Sequence, residues 1–258
     1  MAEHLRLAKT DSPPRVRGFV MTDTARDILR SLSLVRQFGG AAMTMIAGAP
    51  GVGKSEALKH YAAQNGAGCI YIQAVRGEGT PWNFAHSIAA QFGYGAPDFH
   101  TVQEARMRFA QALGPDCLLI VDEAQYLDQK NRRTGRTGEA LEWVRGMAKT
   151  GGFPVVLCGD LSLPNTEATM PQLQSRMRRP VYIPRVTPGD VQAMAVAEGF
   201  TDPAAARVLE VIAALRGGLR NVENVARLAQ LFAGDGKPDL SHLKAAIVDM
   251  KLAPKGSK

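Results

Sequence analysis

An α/β fold is predicted for this chain: a five-stranded parallel sheet between two layers of helices, with an all-helical subdomain after it. Three observations predict it. Five short apolar runs, "MTMIA" (43–47), "CIYI" (69–72), "CLLIV" (117–121), "VVLC" (155–158) and "VYI" (181–183), recur between stretches whose apolar residues have helical spacing. Runs that are apolar at every position suit strands buried on both faces, as in parallel sheets whose crossovers lay helices over each face. After "IPRVTPGDV" the apolar residues keep helical spacing throughout.

Taken in order, "TARDILRSLSLV" places Ile28, Leu32 and Val35 on one helical face behind Thr24 as cap. The strand 43–47 follows, then a helix from Ser55, the strand 69–72, and a helix from Pro81 with Ala85, Ile88, Ala89 and Phe92 on one side. Thr101 and Glu104 form a capping box that opens the next helix. The strand 117–121 precedes a helix near Glu139 to Lys149, which ends at Gly151 and Gly152, and the strands 155–158 and 181–183 complete the sheet. Thr187, Pro188 and Asp190 mark a helix start, and faces led by Leu209, Val222 and Leu243 supply the core of the helical part. The predicted divisions are a flexible tail over 1–21, an αβα domain over 22–186, a helical lid over 187–252 and a second tail over 253–258.

A chain of 258 residues with 45% hydrophobic and 21% charged residues has an ordinary globular composition. Its first residues lack the apolar stretch of a secretory signal, and no run approaches the roughly 18 apolar residues that span a bilayer, so a cytoplasmic protein with no membrane partner is expected. Cys69, Cys117 and Cys158 are an odd set without ligand spacing and read as small core residues in a reducing compartment. The formal charge of +7 permits an anionic partner without identifying one.

The chemistry begins at "GAPGVGKS", where Gly48, Ala49, Pro50, Gly51, Val52, Gly53, Lys54 and Ser55 fit the phosphate-binding P-loop between a predicted strand and a predicted helix. Glycines let successive backbone N–H groups turn toward phosphate oxygens, and the helix N-terminus adds partial positive charge. Lys54 is expected to neutralise the β- and γ-phosphates of ATP, and Ser55 to ligate Mg2+. Asp122 at the end of "CLLIV" is the carboxylate expected on the metal and its water shell, and Glu123 the general base that polarises the attacking water.

With these motifs the chain resembles the AAA+ class of P-loop ATPases, from about residue 22 to about 250. "DEAQ", "ALEWVRGMAKTGGFPVVLCGD", the cluster "QSRMRRP" and "RGGLRNVENVARLAQ" are similar, more narrowly, to the phage Mu transposition protein B group of target-selection ATPases. The resemblance implies an αβα sandwich with a helical lid. It assigns Asp160 to the position of a polar sensor, although an ionised Asp accepts where the usual Asn donates. It assigns Arg220, after Gly217 and Gly218, to a second sensor on the nucleotide, and Arg176 to an arginine finger acting on a neighbouring subunit, which implies a homo-oligomer. Arg178 and Arg179 are left as interface, phosphate-contacting or solvated residues.

Lys130, Arg132, Arg133 and Arg136 in "KNRRTGR", with no acid among them, suit phosphate contacts that do not read sequence. Arg76 is a further candidate, weakened by Glu78 as a neutralising neighbour. The resemblance implies an ATP-dependent filament on double-stranded DNA that recruits or stimulates a transposase. Two other readings stand beside it: a secretion- or envelope-associated ATPase of the "DEAQ" group, and a scaffold whose hydrolysis is only a slow switch.

Overall fold

The computed structural model describes residues 18–91, 99–132 and 134–253. Phe92, Arg133 and the tails 1–17 and 254–258 of the predicted organisation lie outside the described residues. The described chain divides into two compact units, one of residues 27–49 and 54–184, the other of residues 18–26, 50–53 and 185–253.

The larger unit holds the sheet. Helix α1 (Asp23–Phe38) leads to β1 (Met43–Gly48), α2 (Lys54–Asn65), β2 (Cys69–Gln73), α3 (Pro81–Gln91), α4 (Val102–Leu113) and β3 (Leu118–Asp122). A 3-10 turn at Ala124–Asp128 then precedes α5 (Glu139–Gly151), β4 (Val155–Gly159), α6 (Leu163–Ala168), α7 (Pro171–Gln174) and β5 (Val181–Ile183). The five strands lie in the order β2-β3-β4-β1-β5, and every pairing is parallel.

Burial follows strand position. Every residue of β1, β3 and β4 is buried, whereas the edge strands β2 and β5 keep partly exposed positions, so apolar runs are continuous in the middle of the sheet. One face packs Met45, Leu119, Val121 and Leu157 against Phe84, Phe109 and Trp143 of the covering helices. Ile28, Leu32 and Val35 of α1 are fully buried, each contributing about 1.5–3 kcal/mol of apolar transfer.

The smaller unit is helical, with α8 (Pro188–Ala197), α9 (Pro203–Ala213), α10 (Leu219–Ala233) and α11 (Leu240–Asp249). Val191, Leu209, Ile212, Val222, Val225 and Leu243 meet in its core. Thr187 and Asp190 form a reciprocal capping box at the start of α8.

At α1 the cap differs from the sequence expectation. Thr22, not Thr24, caps the helix, its Oγ1 accepting the Ala25 N–H at 3.0 Å. Thr24 lies inside the first turn and donates its N–H and hydroxyl to the Asp190 carboxylate at 2.9 and 2.6 Å. Two threonines separated by Asp23 satisfy the same local pattern, and a partner 166 positions away decided between them. At α4, Thr101 accepts the Glu104 N–H as expected, but Glu104 returns its bond to the His100 N–H.

Candidate functional site

The P-loop stretch joins the C-terminal end of β1 to the first residue of α2. Gly48 is required by its surroundings, since a Cβ there would stand 2.9 Å from the Ile183 carbonyl oxygen. Lys54 folds back over the loop, its Nζ donating to the carbonyls of Gly48 at 2.7 Å and Ala49 at 2.9 Å. The Ala49 N–H extends the β1–β5 ladder by donating to Ile183 O at 2.9 Å, which commits it to the sheet. Val52 is 1% exposed, so its side chain is a packing residue.

Within the helical unit, the loop tip meets the segment that opens α10. Leu219 N–H donates to Gly51 O at 2.9 Å. A Cβ on Gly51, whose φ is +77°, would fall 1.8 Å from Gly217 O, so glycine is demanded twice at this position, by conformation and by contact. Arg220 is exposed in the first turn of α10, next in sequence to Leu219.

Asp122 and Glu123 stand at the end of β3, with β4 between β3 and β1, so the acidic pair and Gly48 lie at the same sheet end about 10 Å apart by strand spacing. Asp122 is 1% exposed. Its Oδ1 accepts the Glu123 N–H at 2.9 Å and its Oδ2 accepts the Tyr71 hydroxyl at 2.7 Å. Glu123 has a left-handed backbone, φ 56° and ψ 33°, unusual for a non-glycine residue and found where surroundings over-determine the chain. Gln125 donates from Nε2 to Glu123 Oε2 at 2.6 Å and accepts the Asp160 N–H at 3.3 Å.

The donor set suits a hard cation. Ser55 supplies a hydroxyl and Asp122 a carboxylate with lone pairs left after its two hydrogen bonds, the oxygen ligands that Mg2+ takes alongside water and phosphate. Burial, and then the neighbouring Asp122, push the Cys158 thiol well up; burial, and then Cys117, push Cys69 up to about 12. Burial and the bond to Asp122 likewise raise Tyr71, which stays a protonated donor.

Asp160 Oδ1 accepts the Ser162 N–H at 2.9 Å and the Ser162 hydroxyl at 2.5 Å. A turn-capping role is therefore occupied. Gln125, in the quoted "DEAQ" but given no role by the sequence, is the polar group that links the end of β4 to Glu123.

The three arginines of "QSRMRRP" separate. Arg176 O accepts the Met43 N–H at 2.9 Å, which places Arg176 at the N-terminal end of β1. Gly48 is five residues further along the same strand, roughly 16 Å away. Arg178 is exposed and its guanidinium lies 5.7 Å from the Phe38 ring centroid. Arg179 is structural: it pairs with Asp27, its carbonyl accepts Ser31 Oγ at 2.7 Å and Thr44 Oγ1 at 3.1 Å, and its backbone φ is +44°.

The basic loops come together at the C-terminal ends of β2 and β3. Gln129 Oε1 accepts the Gly77 N–H at 2.9 Å, tying the segment that carries Arg76 to the segment that starts at Lys130. Arg76, Lys130, Arg132 and Arg136 are exposed. Glu78 is 5% exposed, and its carboxylate accepts from the Val75 N–H and the Ser87 hydroxyl. The second loop is closed by Asn131 N–H donating to Arg136 O at 2.8 Å, and Thr134 anchors it to Glu139 at 2.7 Å.

Residues 36–166 match the family model described as an AAA domain, and residues 175–250 match that of the Mu B transposition protein, C terminal. The chain is 25% identical to the ATP-dependent target DNA activator B of Escherichia phage Mu, covering 95% of this chain and 77% of that protein. Among solved structures, the Aeropyrum pernix ORC1 protein in complex with DNA superposes with a TM-score of 0.66 at 19% identity, covering 92% of this chain and 68% of that one. Domain III of the Thermotoga maritima replication initiation protein DnaA gives 0.56 at 16% identity, covering 90% and 94%. These structural likenesses establish the fold. Five parallel strands, a P-loop with its acidic pair and a family model spanning half the chain converge: the chain belongs to the AAA domain family, and its C-terminal part matches that of the Mu B transposition protein.

Proposed function

We propose that this chain is a magnesium-dependent cytoplasmic ATPase that assembles on double-stranded DNA in its ATP state, without reading sequence, and recruits or stimulates a transposase. One observation carries the catalytic reading: β3 ends in a buried carboxylate followed by a second one held in a left-handed backbone, at the sheet end where the P-loop leaves β1. The partner reading is supported by likeness to the phage Mu activator across 95% of the chain.

In this reading Lys54 exchanges its bonds with the Gly48 and Ala49 carbonyls for the terminal phosphates of ATP. Ser55 and Asp122 would hold Mg2+, which would supply charge that offsets the phosphates. Glu123 takes the proton from the attacking water, its carboxylate steadied by Gln125. Arg176 acts on the neighbouring subunit's nucleotide, since roughly 16 Å of strand separates it from its own P-loop. A finger supplied in this way requires a homo-oligomer, here a helical filament in which weak phosphate contacts from Arg76, Lys130, Arg132, Arg133 and Arg136 add along the polymer. Arg220 reads the γ-phosphate from the lid.

A slower switch is the second reading, favoured by the commitment of Asp160 to Ser162. ATP turnover measured with and without duplex DNA separates the two. A rate that rises with DNA and vanishes in Lys54→Ala supports the filament ATPase. A slow rate indifferent to DNA supports the switch, and a wild-type chain that binds no ATP sinks both.

A further inference from the structure

Tyr71 lies on β2, two residues before Gln73, which pairs with Asp122 across the parallel ladder. Side chains at i and i+2 of a strand share a face, so the Tyr71 ring lies on the face of Asp122 and its length carries the hydroxyl toward the strand end. There it donates to Asp122 Oδ2 at 2.7 Å while the Glu123 N–H holds Oδ1 at 2.9 Å. A carboxylate that is 1% exposed thus has each oxygen fixed by a different donor, and rotation about its terminal bond would break both.

We propose that Tyr71 is a positioning residue for the magnesium-binding carboxylate. This rests on the ATPase reading and adds a residue to it. Mg2+ demands near-ideal octahedral geometry and keeps several of its waters, so a carboxylate that serves it must present its free lone pairs at a set angle. Tyr71 sets that angle by occupying one lone-pair direction of Oδ2 and leaving the other for the metal or its water. Outer partners of metal ligands typically alter metal affinity or activity about 10- to 100-fold when removed. A hydroxyl serving only the packing of β2 would leave the metal requirement unchanged.

The test uses the full chain, a fluorescent ATP analogue and MgCl2. Tyr71→Phe keeps the ring and deletes the donor. The Mg2+ concentration giving half-maximal ATP turnover, and half-maximal tightening of analogue binding, is expected to rise about 10-fold. Analogue binding in EDTA is expected to match wild type, and turnover at saturating Mg2+ to recover most of its rate. In an Asp122→Asn background, adding Tyr71→Phe is expected to shift the Mg2+ midpoint of analogue binding no further, because both changes act through the same side chain. An unmoved midpoint in Tyr71→Phe overturns the proposal, as does an equal loss of binding in EDTA. A wild-type chain with no Mg2+ dependence overturns the ATPase reading itself, which keeps the two failures distinct.

Discussion

The Gln125 side-chain nitrogen lies 2.6 Å from Glu123 Oε2 and donates to it, so the proposed catalytic base is held by a neighbour only two residues along the chain. Replacing Glu123 with Gln preserves an oxygen that can accept this bond, while removing the charge that takes a proton. Glu123→Gln is therefore expected to fold and to bind ATP, with kcat lowered about 10²- to 10⁴-fold, the usual contribution of a general base. Single-turnover measurement checks it. Turnover at the wild-type rate would remove Glu123 from the mechanism.

Arg176 and Gly48 occupy opposite ends of the β1 region, and this makes a prediction about assembly. Arg176→Ala and Glu123→Gln proteins are each expected to be nearly inactive alone and to regain part of the activity when mixed, because a mixed interface joins an intact finger to an intact base. Mixtures no more active than the separate variants would count against a finger acting in trans.

The cluster around Arg176 and the loop after β3 predict contrasting salt behaviour. Arg132→Ala and Arg136→Ala are each expected to lower the slope of log affinity for duplex DNA against log salt by about 0.9, one phosphate contact apiece. Arg179→Ala is expected to leave the slope alone and to lower the melting temperature, because its side chain pairs with Asp27 in the sheet unit. A lost slope with unchanged melting in Arg179→Ala would reverse this assignment.

Asp190 is 0% exposed and accepts from Thr24 and Thr187. Burial alone would raise its carboxyl, but the Thr24 and Thr187 hydrogen bonds together outweigh burial and hold it below its ordinary value of 3.8. A lowered folded value means that the carboxylate's stabilisation is present above the unfolded value and is lost as pH falls through the folded one. Asp190→Ala leaves several donors without an acceptor and is expected to cost about 2–3 kcal/mol at neutral pH. The difference in stability between wild type and Asp190→Ala is expected to shrink below about pH 4. Denaturant titration at pH 7 and pH 3 measures it, and a difference independent of pH would show that the group does not carry the effect.

Gly51→Ala is expected to fail more severely than an ordinary glycine substitution. A left-handed backbone costs a side chain about 1–2 kcal/mol, and the added Cβ would overlap the Gly217 carbonyl. Weaker ATP binding and earlier melting are the expected readouts. Wild-type values for both would mean that the loop tip relaxes away from Gly217.

Much of the site was legible because its signals are local. The P-loop reads from eight consecutive residues, the acidic pair from the end of one apolar run, and the strands from apolar stretches that have to be continuous when both faces of a central strand are buried. Helix ends such as Thr187 with Asp190 read from spacing alone, since a cap bonds within three residues. The choice of Thr22 over Thr24 did not, because the hydroxyl that looked like a cap is used by Asp190. Tyr71 was hidden in an apolar run whose hydroxyl gives no sign of its partner 51 residues on. The same limit applied to the arginines. By itself the sequence determined which side chains are available, a P-loop lysine, two carboxylates and a set of basic loops. Only the tertiary structure decided that Arg179 is tied to Asp27, that Arg176 opens the far end of β1, and that Gln129 joins the Arg76 loop to the Lys130 loop. The reason is physical: hydrogen bonds and charge pairs act over about 3 Å, and which groups come that close is set by the parallel stacking of strands distant in sequence.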